Sequence, residues 1–253
     1  MILIKMGGSV ISDKGKYKKF REETVRRIAG VLPKKELLLV HGGGSFGHVL
    51  AHKYRIREGY EKWKILGFSE IGRDMEELNL KILKILIEEK IPAVSIPPHA
   101  LFLMGDEPNM DIFHFAVDLD FVPLTFGDII FHRSKGIEIC SGDYLMLHLA
   151  REFKPEKTIF LTDVDGIYDK DPGEPGAKLI SVLERNVEPE TSTKVKDVTG
   201  GIAYKIEIMR EIARYSKVYV LNGFHPERVK KVLDDEETRK SLNALYKKNK
   251  NPI

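Results

Sequence analysis

The sequence predicts an α/β protein, a three-layer α/β/α sandwich around a mostly parallel central sheet. Three observations carry that prediction. Short apolar runs alternate with longer segments of helical period, the order for which parallel βαβ units with right-handed crossovers are the default. Two of those runs end in glycines, at Gly7-Gly8-Ser9 and at Gly42-Gly43-Gly44. The chain of 253 residues is 42% hydrophobic and 31% charged, which suits a sizeable core under a heavily charged surface. No solenoid-length repeat and no linker-like stretch divides it, so residues 1–253 read as a single domain.

Residues 1–5 form a candidate buried strand running into the first glycine turn, with Lys14 and Lys16 just beyond. Residues 20–32 carry Phe20, Val25, Ile28, Ala29 and Leu32 at near-helical spacing, closed by Pro33. Residues 37–40 are the next strand. After its three glycines a helix is expected over 49–54, and the polar stretch 52–63 reads as an irregular loop over the site. Helical period returns over 69–89, with Ile71, Met75, Leu78, Ile82, Ile85 and Leu86 on one stripe. A strand over 91–96 is stopped by Pro97-Pro98, and residues 101–120 fit neither period. Strands are expected over 121–126 and 128–131, separated by Gly127, and over 137–140. Ser141 then suits the N-cap of a helix over 144–153. The strand 157–161 ends in Thr162-Asp163-Val164-Asp165-Gly166. Residues 169–199, rich in Pro and Gly, read as loop with short elements. Gly200-Gly201 opens a helix with Ile202, Ile206, Met209, Ile212 and Ala213 on one face, followed by a strand over 218–221 and a helix over 226–233.

The single cysteine, Cys140, excludes an internal disulfide framework and suits a reducing cytoplasm, the expected location. No signal pattern precedes Lys5, and no apolar run is long enough to cross a bilayer, so no membrane partner is expected. Net charge is +3, with Lys247, Lys248 and Lys250 at the C-terminus; so weak an excess reads as a solvated end, not a nucleic-acid site.

The glycine turns carry the chemistry. Lacking Cβ, they bring backbone N–H groups within reach of an anion, and the positive end of a following helix favours a phosphate there. Gly42, Gly44 and Gly47 formally satisfy the dinucleotide fingerprint, but the acidic residue it needs about 20 positions on, at the end of the next strand, is missing. Gly42 and Gly47 also have P-loop spacing, yet His48-Val49 stands where Lys followed by Ser or Thr is required. His48 and His52 share a helical spacing but no third ligand, so no metal site is expected. Lys5 ends an apolar strand, where burial without a partner is costly, so an anion is its natural explanation. Lys205 lies near the start of a helix, against the macrodipole. Asp143, at another strand-to-helix junction, could bridge these lysines. In a parallel sheet such junctions converge at the carboxyl edge.

Lys5-Met6-Gly7-Gly8-Ser9, His41-Gly42-Gly43-Gly44, Ser141-Gly142-Asp143, Thr162-Asp163-Val164-Asp165-Gly166 and Thr199-Gly200-Gly201 with Lys205 resemble, in this order, the amino acid kinase superfamily. Within it, Gly43 to His48 together with Lys14 is similar to the isopentenyl phosphate kinases, and the fosfomycin kinases are similar in the same loop. The resemblance implies ATP-dependent phosphorylation of isopentenyl phosphate in an archaeal-type mevalonate route. The alternatives left open are a fosfomycin-type or other small phosphate kinase, and a sensing module that kept the fold without catalysis. The implied N-terminal half binds the acceptor and the C-terminal half mainly ATP. Lys5, Met6, Gly7, Gly8 and Ser9 would cradle the ATP phosphates, with Gly44, Asp165, Gly201 and Lys205 also on the nucleotide. Lys14 would reach the transferring phosphoryl group. His48, with Gly43, Gly142 and Asp143, would hold the acceptor phosphate, and Asp143 would organise the lysines. Mg2+ would ride mainly on the ATP phosphates, with no dedicated metal ligands, and a homodimer is implied. For an isoprenoid tail the candidate pocket residues are Met75, Leu78, Ile82 and Ile139, each with core packing as its plainer reading.

Overall fold

The computed structural model describes residues 1–180 and 201–234. Its elements in chain order are β1 (Ile2–Met6), α1 (Gly8–Ile11), α2 (Glu22–Ala29), β2 (Leu37–His41), α3 (Gly44–Lys53), α4 (Ile65–Glu88), β3 (Ala93–Ser95), α5 (Asp111–Asp118), β4 (Val122–Phe126), β5 (Asp128–His132), β6 (Gly136–Cys140), α6 (Gly142–Phe153), β7 (Lys157–Thr162), β8 (Ile167–Tyr168), β9 (Leu179–Ile180), α7 (Gly201–Ile212), β10 (Lys217–Asn222) and α8 (Pro226–Asp234). Six strands form one sheet in the order β10-β7-β1-β2-β4-β3, every pair parallel. Two antiparallel hairpins, β5–β6 and β8–β9, stand beside it. The expected helical layers on both faces follow from the burial of the central strands. In β1 and β2, Ile2, Ile4, Met6, Leu37 and Leu39 join a core with α2, α3, α4 and α8. The intervening Leu3, Leu38 and Val40 join a second core with α5, α6 and α7. A strand buried on both faces reads as a continuous apolar run, which is why 1–5 and 37–40 were legible as strands.

The register sets the site. Met6 lies opposite His41 on one side and Leu161 on the other, so β1, β2 and β7 all end at the same sheet edge. The turns into α1 and α3, and the loop after β7, therefore meet there.

Several expectations need correction. The helix placed at 49–54 begins at Gly44, so the second glycine turn forms the first turn of α3. Gly44 enters it with φ of +48°, a conformation that favours glycine. The stretch 52–63 is not wholly irregular, since short 3-10 turns cover Ile56–Glu58 and Lys62–Lys64. Helix α4 starts at Ile65, earlier than position 69, where buried Lys64 donates to the Arg55 and Gly59 carbonyls at 3.0 and 2.9 Å. Residues 101–120 hid α5. Its Phe113, Ala116 and Val117 face the second core, but Ile112 and Phe115 are exposed apolar residues that blur this stripe in the sequence. Gly200, residues 181–199 and the C-terminal lysines lie outside the described residues.

Candidate active site

At the carboxyl edge a cleft of about 680 Å³ collects most of the predicted residues. Lys5, Gly7, Gly8, Ser9, Lys14, Gly43, Gly44, His48, Gly142, Asp143 and Lys205 all line it. Met6, by contrast, turns its side chain fully into the core, which leaves only its backbone for the turn. Asp165 does not line the cleft; its carboxylate is taken by Arg228 at 2.6 Å and Asn222 at 3.0 Å. Those partners hold the Asp165 carboxyl below the usual range. Gly201 opens α7.

Strand β1 delivers Lys5 to the floor of the cleft, where its ammonium meets Asp143 at 2.6 Å. Both side chains are almost fully buried. The buried cation thus has a carboxylate partner within the protein, beyond the anion that its position suggested. Asp143 lies in the first turn of α6, where the macrodipole favours a carboxylate. Ser141 caps that helix by accepting the Tyr144 amide at 3.1 Å, a contact that typically stabilises a helix start by about 1 kcal/mol. No ion pair within 4.0 Å links Asp143 to Lys205 among the described residues, so the expected bridge reaches Lys5 alone.

Lys14 sits on the arm between α1 and α2, which a bridge between Ser12 and Phe20 closes into a hairpin-like loop. Its ammonium lies 3.3 Å from Asp163, across the cleft mouth. Asp163 also accepts the Ser9 hydroxyl at 2.8 Å. Burial alone would raise its carboxyl, but Ser9 and Lys14 overcome that and hold it low. The far side of the arm is tied to α4. Fully buried Asp74 accepts from the Tyr17 hydroxyl and, at 3.1 Å, from the Lys18 ammonium. Burial and then the Asp74 contact push the Tyr17 hydroxyl up to about 12.

The second turn is lined differently. His41, the last residue of β2, is fully buried and stacks on Phe126 with centroids 5.1 Å apart. Its Nδ1 lies 3.0 Å from the Gly42 carbonyl and its Nε2 3.4 Å from the Asn79 side-chain oxygen. Burial lowers its pKa to about 4, keeping the ring neutral. His48 projects into the cleft from α3, and Met75 of α4 packs under the same helix. A Cβ on Gly47 would come within 3.0 Å of the Met75 sulfur. Ile71, Met75, Ile129 and Ile139 extend this part as an apolar wall. Of the proposed tail residues, Met75 and Ile139 line the cleft, whereas Leu78 and Ile82 are fully buried core.

Three cleft residues, Asp163, Asp128 and Ser45, and one behind the cleft, Asp74, add to those the sequence points to. Asp163 shares a motif with Asp165, and of the two it is Asp163 that lines the cleft. Asp128 lines the cleft with its carboxylate buried against His99 at 3.1 Å, and burial raises its pKa. Ser45, noted only as a family marker, turns a buried hydroxyl without a hydrogen-bond partner among the described residues. Asp74 has a local partner in Arg73 at 2.7 Å, but its tie to the arm has no local signal, because Tyr17 and Lys18 are more than 50 residues away.

The profile of the Amino acid kinase family matches residues 1–222. An isopentenyl phosphate kinase from Thermoplasma acidophilum is 39% identical over 235 residues, covering 90% of this chain and 94% of that protein. One from Methanocaldococcus jannaschii is 32% identical, covering 92% and 95%. A crystal structure of an isopentenyl phosphate kinase substrate complex superposes with a TM-score of 0.82 at 35% identity, covering 93% of this chain and 97% of the other. Converging strand ends, the paired Lys5 and Asp143, and likeness over nine-tenths of the sequence to isopentenyl phosphate kinases lead to one conclusion: the chain belongs to the amino acid kinase family.

Proposed function

We propose that the protein transfers the γ-phosphoryl group of ATP to isopentenyl phosphate, giving isopentenyl diphosphate and ADP. The observation that carries this reading is the composition of the cleft at the carboxyl edge. A glycine turn flanked by Lys5, Lys14 and Lys205 opens directly onto a second glycine loop with His48 and an apolar wall of Ile71, Met75 and Ile139. The first part suits a polyphosphate and the second a phosphate monoester with a small apolar tail, as the similarity to isopentenyl phosphate kinases also favours.

In this reading the backbone from Lys5 to Ser9 and the ammonium of Lys205 hold the ATP phosphates, with Gly44 and Gly201 nearby. Asp165 acts on the nucleotide loop through Arg228 and Asn222. Asp143 holds Lys5 aimed at the phosphates. Gly43, Gly142 and His48 hold the acceptor phosphate in line. An acceptor oxygen forms the new bond to the γ-phosphorus while the bond from that phosphorus to the bridging oxygen breaks, and its electron pair leaves with ADP. Lys14 moves from Asp163 to the transferring oxygens as their charge builds. A phosphate monoester is already anionic near neutral pH, so no general base is needed and His48 acts as binder and charge stabiliser. Positioned charge is the main source of rate in such loose transition states. Mg2+ supplies charge neutralisation on the ATP phosphates when bound.

The N-terminal half then serves the acceptor and the C-terminal half mainly the nucleotide, as parts of one domain. Buried Cys140 suits a cytoplasmic protein, and among the described residues no helix is long and apolar enough to cross a membrane. A homodimer belongs to the same reading. An ADP-release assay against isopentenyl phosphate, fosfomycin, UMP and acetylglutamate tests it. Turnover is expected to be greatest with isopentenyl phosphate. Preference for fosfomycin would move the assignment to that kinase, and no turnover with any phosphate acceptor would overturn it.

A further inference from the structure

The two glycine turns do not merely end at the same sheet edge; they touch. A Cβ on Gly8 would lie 2.5 Å from the Gly44 amide nitrogen, and one on Gly42 would lie 2.8 Å from that of Gly8. No side chain or water fits between backbones this close. The sheet ladder ends where the Gly42 amide donates to the Met6 carbonyl at 3.0 Å, and beyond it the glycines have no side chains of their own to hold the turns in line.

Ser12 supplies that hold. It follows α1, its side chain is fully buried, and it is not part of the cleft lining. Its hydroxyl donates to the Gly8 carbonyl at 2.9 Å and accepts from the Ser45 amide at 2.8 Å. The single proton goes to the first turn and a lone pair to the second. The Ser45 amide belongs to the first turn of α3, where a donor has no partner within the helix and must find one elsewhere. A Cβ on Gly44 would fall 2.0 Å from the same Ser12 oxygen, so glycine there is a condition for the contact.

We propose that Ser12 is a positioning residue for phosphoryl transfer, its hydroxyl locking the register between the nucleotide turn and the acceptor loop. The inference rests on the reading above, in which ATP lies on the first turn and the acceptor phosphate on the second. Ser12 touches neither substrate. It sets the distance and line between the attacking oxygen and the γ-phosphorus, to which transfer is far more sensitive than either binding step.

The test is Ser12→Ala assayed beside wild type, with Ile11→Val as a control for lost stability. Ile11 is a fully buried neighbour in α1 that does not line the cleft. Ser12→Ala is expected to lower kcat by about 10- to 100-fold, the usual effect of a displacement of about 1 Å, with both KM values near wild type. A bisubstrate analogue, adenosine joined through a polyphosphate to an isopentenyl group, should bind more weakly by a similar factor, while ADP and isopentenyl phosphate bind separately as before. Ile11→Val should keep wild-type kcat and analogue affinity at a comparable loss of Tm. If the alanine variant does not fold, Ser12→Cys, which keeps a weak donor, is read by the same criteria. A Ser12 variant with wild-type kcat and analogue affinity, or one no worse than Ile11→Val, overturns the inference. A wild-type enzyme inactive on isopentenyl phosphate would instead overturn the reading beneath it.

Discussion

The two glycine turns have the same origin and opposite surroundings. Each follows a central parallel strand, β1 or β2, and each opens a helix at the same sheet edge. The first is ringed by charge: Lys5 on Asp143, and Lys14 and Ser9 on Asp163. The second is built from neutral groups: a buried uncharged His41, the Met75 thioether and an apolar wall, with His48 at the mouth. Glycines mark a place where phosphate can approach; the flanking side chains decide which phosphate. A highly charged polyphosphate needs fixed counter-charges, whereas a monoester with a hydrocarbon tail needs modest polarity beside an apolar surface.

That contrast can be broken at either turn. The largest effect should come from Asp143→Ala, which removes the buried carboxylate that faces the Lys5 ammonium at 2.6 Å. Loss of one partner from such a pair typically costs about 3–5 kcal/mol, readable as a fall in urea midpoint. A variant as stable as wild type would show that Lys5 does not depend on this carboxylate. Next is Lys14→Ala, on an exposed arm. Folding should be kept while kcat drops by roughly 100-fold or more, as for other lost transition-state donors. A near-normal kcat would remove Lys14 from the chemistry.

The pH dependence of stability separates the turns. His41 has a folded pKa near 4 against an ordinary value of 6.5, so the unfolded chain takes up the proton first. The stability from its neutral burial is complete above pH 6.5 and is lost as pH falls towards 4. The loss at the acid end is on the order of 3 kcal/mol. Asp163 is lowered from 3.8, so its contribution holds until pH falls below that value. The second turn should therefore fail first in acid. Unfolding of wild type and His41→Gln between pH 7 and pH 4 checks this, since the variant should lose the slope; parallel slopes would contradict it.

Much of this was legible in the sequence. Strands buried on both faces announce themselves as apolar runs, and the glycine turns stand directly after them. What was hidden depends on partners far away in the chain. Nothing near Gly44 shows that α3 begins there and not at Val49, because glycine favours turns and the helix start is stabilised by packing on α1 and Met75. The stripe of helix α5 is blurred because Ile112 and Phe115 add exposed apolar residues beside it. Ser12 and Asp74 gain their meaning only when the fold brings distant backbone and side-chain groups to them.

The smallest of these effects bears most directly on the account, because it asks which turn holds which substrate. In His48→Ala the KM for isopentenyl phosphate should rise roughly 10- to 100-fold, the loss expected for one hydrogen bond to a charged group, while the KM for ATP stays at the wild-type value. A rise in the ATP KM with unchanged acceptor kinetics would contradict the assignment of the second glycine loop to the acceptor.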